Sequence, residues 1–229
     1  LPTASDFAGG MDLFDIQGVK IEQSDWNARF SFEMGEITNY WSLSNGFSHQ
    51  IIQIYVDKGD TETGRTDMLP GANTEIHPDW AWEVVISGTG EPGAVYSVQS
   101  ETGATYSRGV DVEGDKDTNT IVFTVSKDVI GTDVASYRYV IVSGSQDGFG
   151  TGKWRDVDET AKTWTLGGGS DASTEDGIEY DPNVLDIVRT DDAQETILAG
   201  YDVDGGEFAQ LTGFEMPEIS QQIYGASVL

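Results

Sequence analysis

The sequence has no cysteine, so neither a disulfide framework nor a thiolate metal site can form. Its only two histidines, His49 and His77, stand in no metal-binding or catalytic-triad motif. Any bound metal must be held by oxygen atoms or by these histidines, which points to hard cations such as calcium. Basic residues are also scarce, because 12 lysines and arginines face 40 acids, and the formal net charge is -28. Nucleic acid and anionic lipid are therefore excluded as main partners.

Long apolar runs and catalytic motifs are missing as well. No run approaches the length of a membrane span. The glycine-rich stretch GSQDGFGTGKWRDVDETAKTW, from Gly144 to Trp164, resembles a phosphate-binding loop only in part. Asp147 stands where that motif needs its first glycine, and Trp154 stands where it needs serine or threonine. No nucleophile elbow is present either, so the sequence favours a binding domain over an enzyme.

What the sequence does contain is alternation of apolar and polar residues in short runs such as ARFSFEM, HQIIQIYVD, NTIVFTVS and YRYVIVSGS. These runs are rich in β-branched and aromatic residues and are separated by turn-forming residues, which is typical of strands. We predict an all-β fold, a two-sheet antiparallel β-sandwich with long loops and little helix, as a single domain over residues 1–229. A Gly- and Asp-rich loop is predicted at 165–190, a C-terminal tail at 212–229, and one helical turn at Ser126–Val134.

Two acidic segments carry oxygen-bearing side chains at a spacing that can wrap a cation. In DVEGDKDTN these are Asp111, Glu113, Asp115, Asp117 and Asn119, and in DVDGGE they are Asp202 and Asp204. The first segment lacks the glycine and the terminal glutamate of an EF-hand loop. Each segment is open to two interpretations, a calcium-binding loop or a polar turn between strands, and the turn is favoured.

Six tryptophans offer aromatic faces on which the apolar face of a sugar can stack. Trp41 and Trp82 lie beside strand-like runs, and we expect them to be structural. Trp154 and Trp164 lie in polar, glycine-rich sequence and are the better candidates for exposure. The predicted ligand-binding residues are therefore Trp154, Arg155, Trp164 and Asp147, in which the polar side chains bind sugar hydroxyls.

Six segments, in this order, carry a resemblance to a known family: FSFEMGEITNYW, NGFSHQIIQIYVD, TDMLPGAN, VSKDVIG, GSQDGFGTGKWRDVD and WTLGGGSD with DPNVLDI. The chain resembles the glucodextranase-type C-terminal domain, which also occurs at the ends of archaeal amylopullulanases and in secreted or surface-layer-associated proteins. The resemblance spans roughly Asp12 to Tyr201. It implies an extracellular, non-catalytic, DOMON-like β-sandwich that binds carbohydrate or attaches its owner to the cell surface.

Two other functions follow from the same comparison. Relatives in the wider group hold haem b through methionine and lysine, so Met34 with Lys153 or Lys127 is a minor haem hypothesis. The sequence shows no catalytic segment beside the resemblance, so the alternative is a structural surface-layer or filament subunit. In that alternative the apolar tail QQIYGASVL pairs with an exposed sheet edge of a neighbouring copy, forming a homo-oligomer or filament.

Overall fold

Strands are the main regular secondary structure of the fold, as the alternating pattern predicts. The computed structural model describes residues 3–4, 10–162, 164–170, 173–174, 177–216 and 222–224. The strands within these residues are β1 (Thr3–Ala4), β2 (Ile16–Gln23), β3 (Asn27–Met34), β4 (Gln50–Asp57), β5 (Thr74–Ile76), β6 (Val84–Thr89), β7 (Tyr96–Gln99), β8 (Thr105–Tyr106), β9 (Val110–Asp115), β10 (Thr120–Ser126), β11 (Arg138–Ser145), β12 (Val157–Asp158), β13 (Leu166–Gly167), β14 (Val184–Ile187), β15 (Ala209–Leu211), β16 (Phe214–Glu215) and β17 (Gln222–Tyr224). The helices are α1 (Lys127–Ile130) and α2 (Gln194–Leu198), and short 3-10 turns lie at Gly10–Leu13, Pro78–Trp80, Pro92–Ala94, Val134–Ser136 and Thr151–Lys153.

Two antiparallel sheets face each other and enclose the main core. One has the strand order β17-β2-β3-β10-β9, and the other has the order β14-β11-β4-β6-β7-β8 with β16 added beside β11. Strand β3 buries Phe30 and Phe32 in the core between the sheets and exposes Arg29 and Glu33 on its outer face. This alternation follows from the period of two in a strand. The predicted all-β, two-sheet antiparallel sandwich is confirmed.

A third layer covers the outer face of the seven-stranded sheet. Strands β4 and β6 are buried along their whole length, and each carries apolar residues on both of its faces. Ile51, Tyr55, Val140 and Val142 pack on this outer face. The segments that cover them contribute Met68, Ala72, Ile76, Trp82, Trp154, Val184 and Leu211. Long connecting segments therefore form a second core instead of surface loops.

This third layer changes the prediction for two segments. The expected loop at 165–190 contains β13 and the edge strand β14, whose residues are all buried. Loop composition did not predict β14 because the strand is buried on both faces and does not alternate. The expected tail at 212–229 contains β16 and β17, and residues 217–221 and 225–229 lie outside the described residues. The predicted helical turn is confirmed, since the Ser126 hydroxyl accepts the Asp128 N–H at 3.2 Å and α1 ends at Gly131.

Glu83, which lies just before β6, is a carboxyl buried within the fold. It is 6% exposed and accepts a hydrogen bond from the Lys58 N–H. Burial raises the pKa of Glu83 to about 7, and the nearby Asp57 and Asp60 raise it further, against the Lys58 N–H. The same effect of burial raises the pKa of Asp186 to about 7, although that carboxylate accepts the Ile16 N–H at 2.8 Å.

The pKa of Glu83 predicts a stability that falls as pH rises. The folded-state pKa lies above the unfolded value of 4.5, so ionisation between about pH 5 and 8 costs more in the folded protein. We expect Glu83→Gln to raise the melting temperature at pH 8 by about 2–4 °C, or roughly 1 kcal/mol, and to change little at pH 5. Thermal melts at several pH values test this, with the exposed Glu62→Gln as the matched control. Equal effects at pH 5 and pH 8 would contradict the assignment.

Candidate functional site

An aromatic groove of about 460 Å³ opens at the end of the seven-stranded sheet where β11 leaves it. Its lining residues come from four separate segments and are Trp41, Leu43, Glu91, Gln146, Asp147, Gly148, Phe149, Arg155 and Trp164. The loop after β11 supplies most of them. A bridge between Gln146 and Trp154 closes this loop, which keeps its tip close to the sheet. The volume lies within the range of small-ligand sites.

Three large aromatic side chains of the groove are open to solvent. Phe149 is fully exposed, Trp164 is 48% exposed, and Trp41 is 37% exposed. Trp164 has a positive φ of 65°, and Phe149 stands between two glycines in a turn held by the Asp147 carboxylate, which accepts the Phe149 N–H at 2.9 Å. The local backbone therefore presents these rings outward. Clustered exposed rings of this kind mark a binding surface.

Arg155 organises the polar side of the groove. Its guanidinium donates to the backbone carbonyls of Gln146, at 3.2 Å, and Trp164. The same guanidinium lies 3.4 Å from the Asp147 carboxylate. Burial lowers the pKa of Arg155, and Asp147 opposes this shift. Arg155 thus ties the loop after β11 to the segment that carries Trp164.

The second cation near the groove, Lys153, is paired as well. Its Nζ lies 3.3 Å from the Glu91 carboxylate. Together with the pair formed by Arg155 and Asp147, this gives two cations matched by two carboxylates. The groove is therefore locally balanced in charge, although the whole chain carries a net charge of -28.

The buried ring of His49 packs against Trp41, which lines the groove. It is 1% exposed, and its ring centroid lies 4.6 Å from that of Trp41 in an edge-on arrangement. Burial, together with the positive charge of Arg155, lowers the pKa of His49 to about 4. The imidazole is thus neutral at pH 7. It packs as an aromatic ring that fixes the orientation of Trp41.

Gln146 adds a buried polar group to the groove wall. It is 1% exposed, and its Nε2 donates to the Glu91 carboxylate at 3.4 Å. Among the described residues its Oε1 has no hydrogen-bond partner. Buried acceptors are nearly always paired. A ligand hydroxyl that donates to Gln146 would satisfy this oxygen.

The structure brings together three of the four residues predicted to bind ligand, namely Asp147, Arg155 and Trp164. Trp154 is 2% exposed, so the prediction that it is exposed is wrong. Its ring covers the outer face of the seven-stranded sheet at Gly144, where a Cβ atom would lie only 2.1 Å from Trp154 Cζ3. The apolar outer face of the sheet requires this cover, and glycine leaves room for it.

Trp41 is the opposite case, since we expected it to be structural and it lines the groove. Phe149 and Glu91 were not predicted either. The segment SLSNG directly after Trp41 is rich in turn-forming residues, and this is the signal that indicates a loop at Trp41. Trp82 is buried as expected, with 1% exposure.

The predicted calcium ligands lie at two turns. Asp111, Glu113 and Asp115 point outward from β9 at every second position, so neighbours are about 7 Å apart. Asp117 and Asn119 form the turn to β10, in which Asn119 Oδ1 accepts the Ile37 N–H at 3.2 Å. Asp202 and Asp204 lie in a second turn, closed by backbone hydrogen bonds between Asp202 and Glu207. Across the described ranges, no three His, Asp or Glu side chains are arranged to hold a metal ion, so calcium binding stays a prediction.

The haem hypothesis requires Met34 to lie close to Lys153 or Lys127. Met34 ends β3 and is 1% exposed in the core between the sheets. Lys127 follows Ser126, and Ser126 pairs with Asn27. Asn27 is the first residue of β3 and lies about 23 Å along the strand from Met34. Lys153 lies beside Trp154 in the outer layer and pairs with Glu91. The structure therefore brings neither lysine to Met34, which is a packing residue.

Comparison with known protein families shows which family the chain belongs to. A family model described as the C-terminal, SLH-like binding module of glucodextranase matches residues 1–213. The chain belongs to this family. No curated protein matches the chain. The family is a binding module and not a catalytic domain, which agrees with a groove built from exposed aromatic residues. In the described part of the module, no helix is long and apolar enough to cross a membrane.

Proposed function

We propose that this module binds an uncharged polysaccharide in the aromatic groove and so attaches the protein that carries it to a polymer outside the cell or at its surface. The main observation behind this proposal is that Trp41, Phe149 and Trp164 are exposed around one groove. Aromatic faces stack on the C–H faces of sugar rings. The SLH-like binding family of the chain supports the same function and an extracellular or cell-surface location.

The charge distribution supports an uncharged ligand. A polyanion is repelled by a chain with a net charge of -28. A polycation would find the groove carboxylates Asp147 and Glu91 already paired with Arg155 and Lys153. Sugar hydroxyls need no net charge, because they donate to carboxylates and to Gln146 Oε1 and accept from guanidinium. Binding is therefore expected to depend little on salt.

Affinity electrophoresis in gels that contain neutral glucans tests the proposal. We expect pullulan, starch or dextran to retard the module and to quench its tryptophan fluorescence, and we expect 1 M NaCl to leave the effect unchanged. Carboxymethylated glucan is the matched charged ligand and should retard it less. If no neutral polysaccharide causes retardation or quenching, or if only a charged one does, the proposal is wrong.

The alternative function, a surface-layer or filament subunit, requires self-assembly through the C-terminal tail. In the structure β17 pairs with β2 of the same molecule, with Ile223 opposite Val19. At the other edge of this sheet, β9 carries outward carboxylates at Asp111, Glu113 and Asp115. Like charges at an edge oppose pairing with a second copy. These observations favour the binding function over self-assembly.

The calcium hypothesis has a separate test. If either acidic turn holds calcium in the folded state only, EGTA should lower the melting temperature in 1 M NaCl, and added calcium should restore it. Asp115→Asn should then abolish the response if the first turn is the site, and Asp204→Asn if it is the second. A melting temperature that EGTA leaves unchanged would remove calcium from both turns.

A further inference from the structure

A second cavity, of about 410 Å³, lies on the other side of the loop after β11. We call it the indole pocket, and its key residues are Gly71, Asp147, Trp154, Asp156, Glu179 and Phe208. Asp147 also lines the aromatic groove, so the two sites meet at this residue. A polymer bound in the groove would therefore pass directly beside the pocket.

The indole of Trp154 presents its N–H side to this pocket. The six-membered edge of the ring, with Cζ3 and Cε3, faces Gly144 on the sheet. The opposite edge carries Cδ1 and Nε1, and a Cβ atom on the pocket residue Gly71 would lie 3.0 Å from Cδ1. Gly71 has a positive φ of 99° and leaves this edge uncovered by a side chain.

The Nε1–H of Trp154 is an unpaired donor. Trp154 is 2% exposed, and among the described residues its Nε1 has no hydrogen-bond partner. A buried indole N–H is usually hydrogen-bonded, because leaving it unpaired costs about 1–3 kcal/mol. This donor therefore points to a ligand that offers an acceptor.

Carboxylates supply the charged part of the pocket wall, beside the polar residues Asn73, Thr151 and Asn183. Asp156 and Glu179 line the pocket, with Asp158 and Asp181 close by. Asp156 is exposed at the pocket mouth, but partial desolvation of its carboxyl raises its pKa to about 6, and the charges of Glu179, Asp158 and Asp181 raise it further. This crowding of acceptors favours a ligand that donates hydrogen bonds to them.

Three ligand classes can be compared on these groups. A bare metal ion or an ammonium group cannot accept the Trp154 N–H, and an anion would face Asp156 and Glu179. A hydroxyl group both accepts and donates, so adjacent hydroxyls of a sugar satisfy the indole and a carboxylate together. We propose that the indole pocket binds a sugar residue of the polysaccharide that lies in the aromatic groove. This inference rests on the proposed function, which supplies the polysaccharide.

Nuclear magnetic resonance of the tryptophan indoles tests the proposal on the native protein. Each of the six indole N–H groups gives its own ¹H–¹⁵N peak, which can be assigned in the unmodified chain. In a titration with maltotriose and isomaltotriose, we expect the Trp154 peak to move together with those of Trp41 and Trp164. The Trp26 peak should stay in place, because this exposed ring lies outside both sites.

A pair of variants measures the contribution of the pocket. Asp156→Asn removes a pocket carboxylate charge and is expected to weaken oligosaccharide affinity about tenfold. Asp158→Asn changes the nearby acid, which pairs with Lys162 outside the pocket lining, and should leave affinity unchanged. Melting curves of both variants verify folding, and Asp156→Asn should not lower the melting temperature because it relieves like-charge repulsion.

The outcomes separate the two proposals. Movement of the Trp41 and Trp164 peaks alone, with equal affinities for the two variants, would overturn the indole pocket and leave the groove intact. Movement of the Trp154 peak alone would show that sugar enters the pocket without occupying the groove, and would overturn both the groove and the joint binding proposed here. If no indole peak moves at millimolar sugar, both proposals fail.

Discussion

Replacing Trp154 with alanine should lower the free energy of unfolding by about 3–5 kcal/mol, the usual cost of removing a large aromatic side chain from a core. For a chain of this length the melting temperature should fall by roughly 6–20 °C. The reason is that Trp154 is 2% exposed and belongs to one buried cluster with Val142 and Val184. Its removal leaves a cavity over Gly144 that no neighbouring side chain fills. Chemical and thermal unfolding measure the loss.

Trp164→Ala is the matched control for this prediction. Trp164 lies ten residues further along the chain and is 48% exposed. Its replacement should change the free energy of unfolding by no more than about 0.5 kcal/mol, as is usual for surface positions. If the two variants are equally stable, Trp154 is not a core residue and does not cover the outer face of the seven-stranded sheet.

Loss of the groove tryptophans should have the largest effect on binding. We expect Trp41→Ala and Trp164→Ala each to weaken polysaccharide affinity about tenfold, since buried tryptophans at interfaces often contribute more than 1 kcal/mol. The double variant should be weaker by about a hundredfold if the two rings act independently. Quantitative affinity electrophoresis or calorimetry with the glucan that retards the native module gives these values.

Trp26→Ala is the control that distinguishes the loss of a groove tryptophan from the loss of any exposed tryptophan. Trp26 is the most exposed tryptophan, at 79%, and lies in the turn between β2 and β3, outside the groove lining. It should bind polysaccharide like the native protein. If Trp26→Ala weakens binding as much as Trp164→Ala does, the ligand does not use the aromatic groove in the way proposed.

The alternating runs were sufficient to predict the strands that have one solvated face. In β3 the outward residues are polar and the inward ones apolar, and β10 follows the same pattern except for the outward Val122. Both strands lie where the pattern indicates. Strand β14 was missed because both of its faces are covered, and a short strand of this kind has no alternation to detect. The central strand β4 carries apolar residues on both faces and is buried along its whole length, and its own sequence does not identify which segment covers its outer face.

The sequence predicted part of the candidate site, as it predicted part of the strands. Asp147, Arg155 and Trp164 were found because a glycine-rich, polar segment with tryptophans indicates a functional loop. Trp41 and Glu91 join them from distant parts of the chain, which local composition does not reveal. The ion pairs that balance the groove depend on the same long-range contacts.

The sequence by itself determined the all-β class, the absence of thiolate chemistry, the strongly acidic surface and the loop that carries most of the site. These properties depend on composition and on local periodicity. Only the tertiary structure decided that Trp154 is buried and Trp41 exposed. Exposure depends on which segments cover each face of a sheet, and the third layer that buries Trp154 is assembled from segments far apart in the chain.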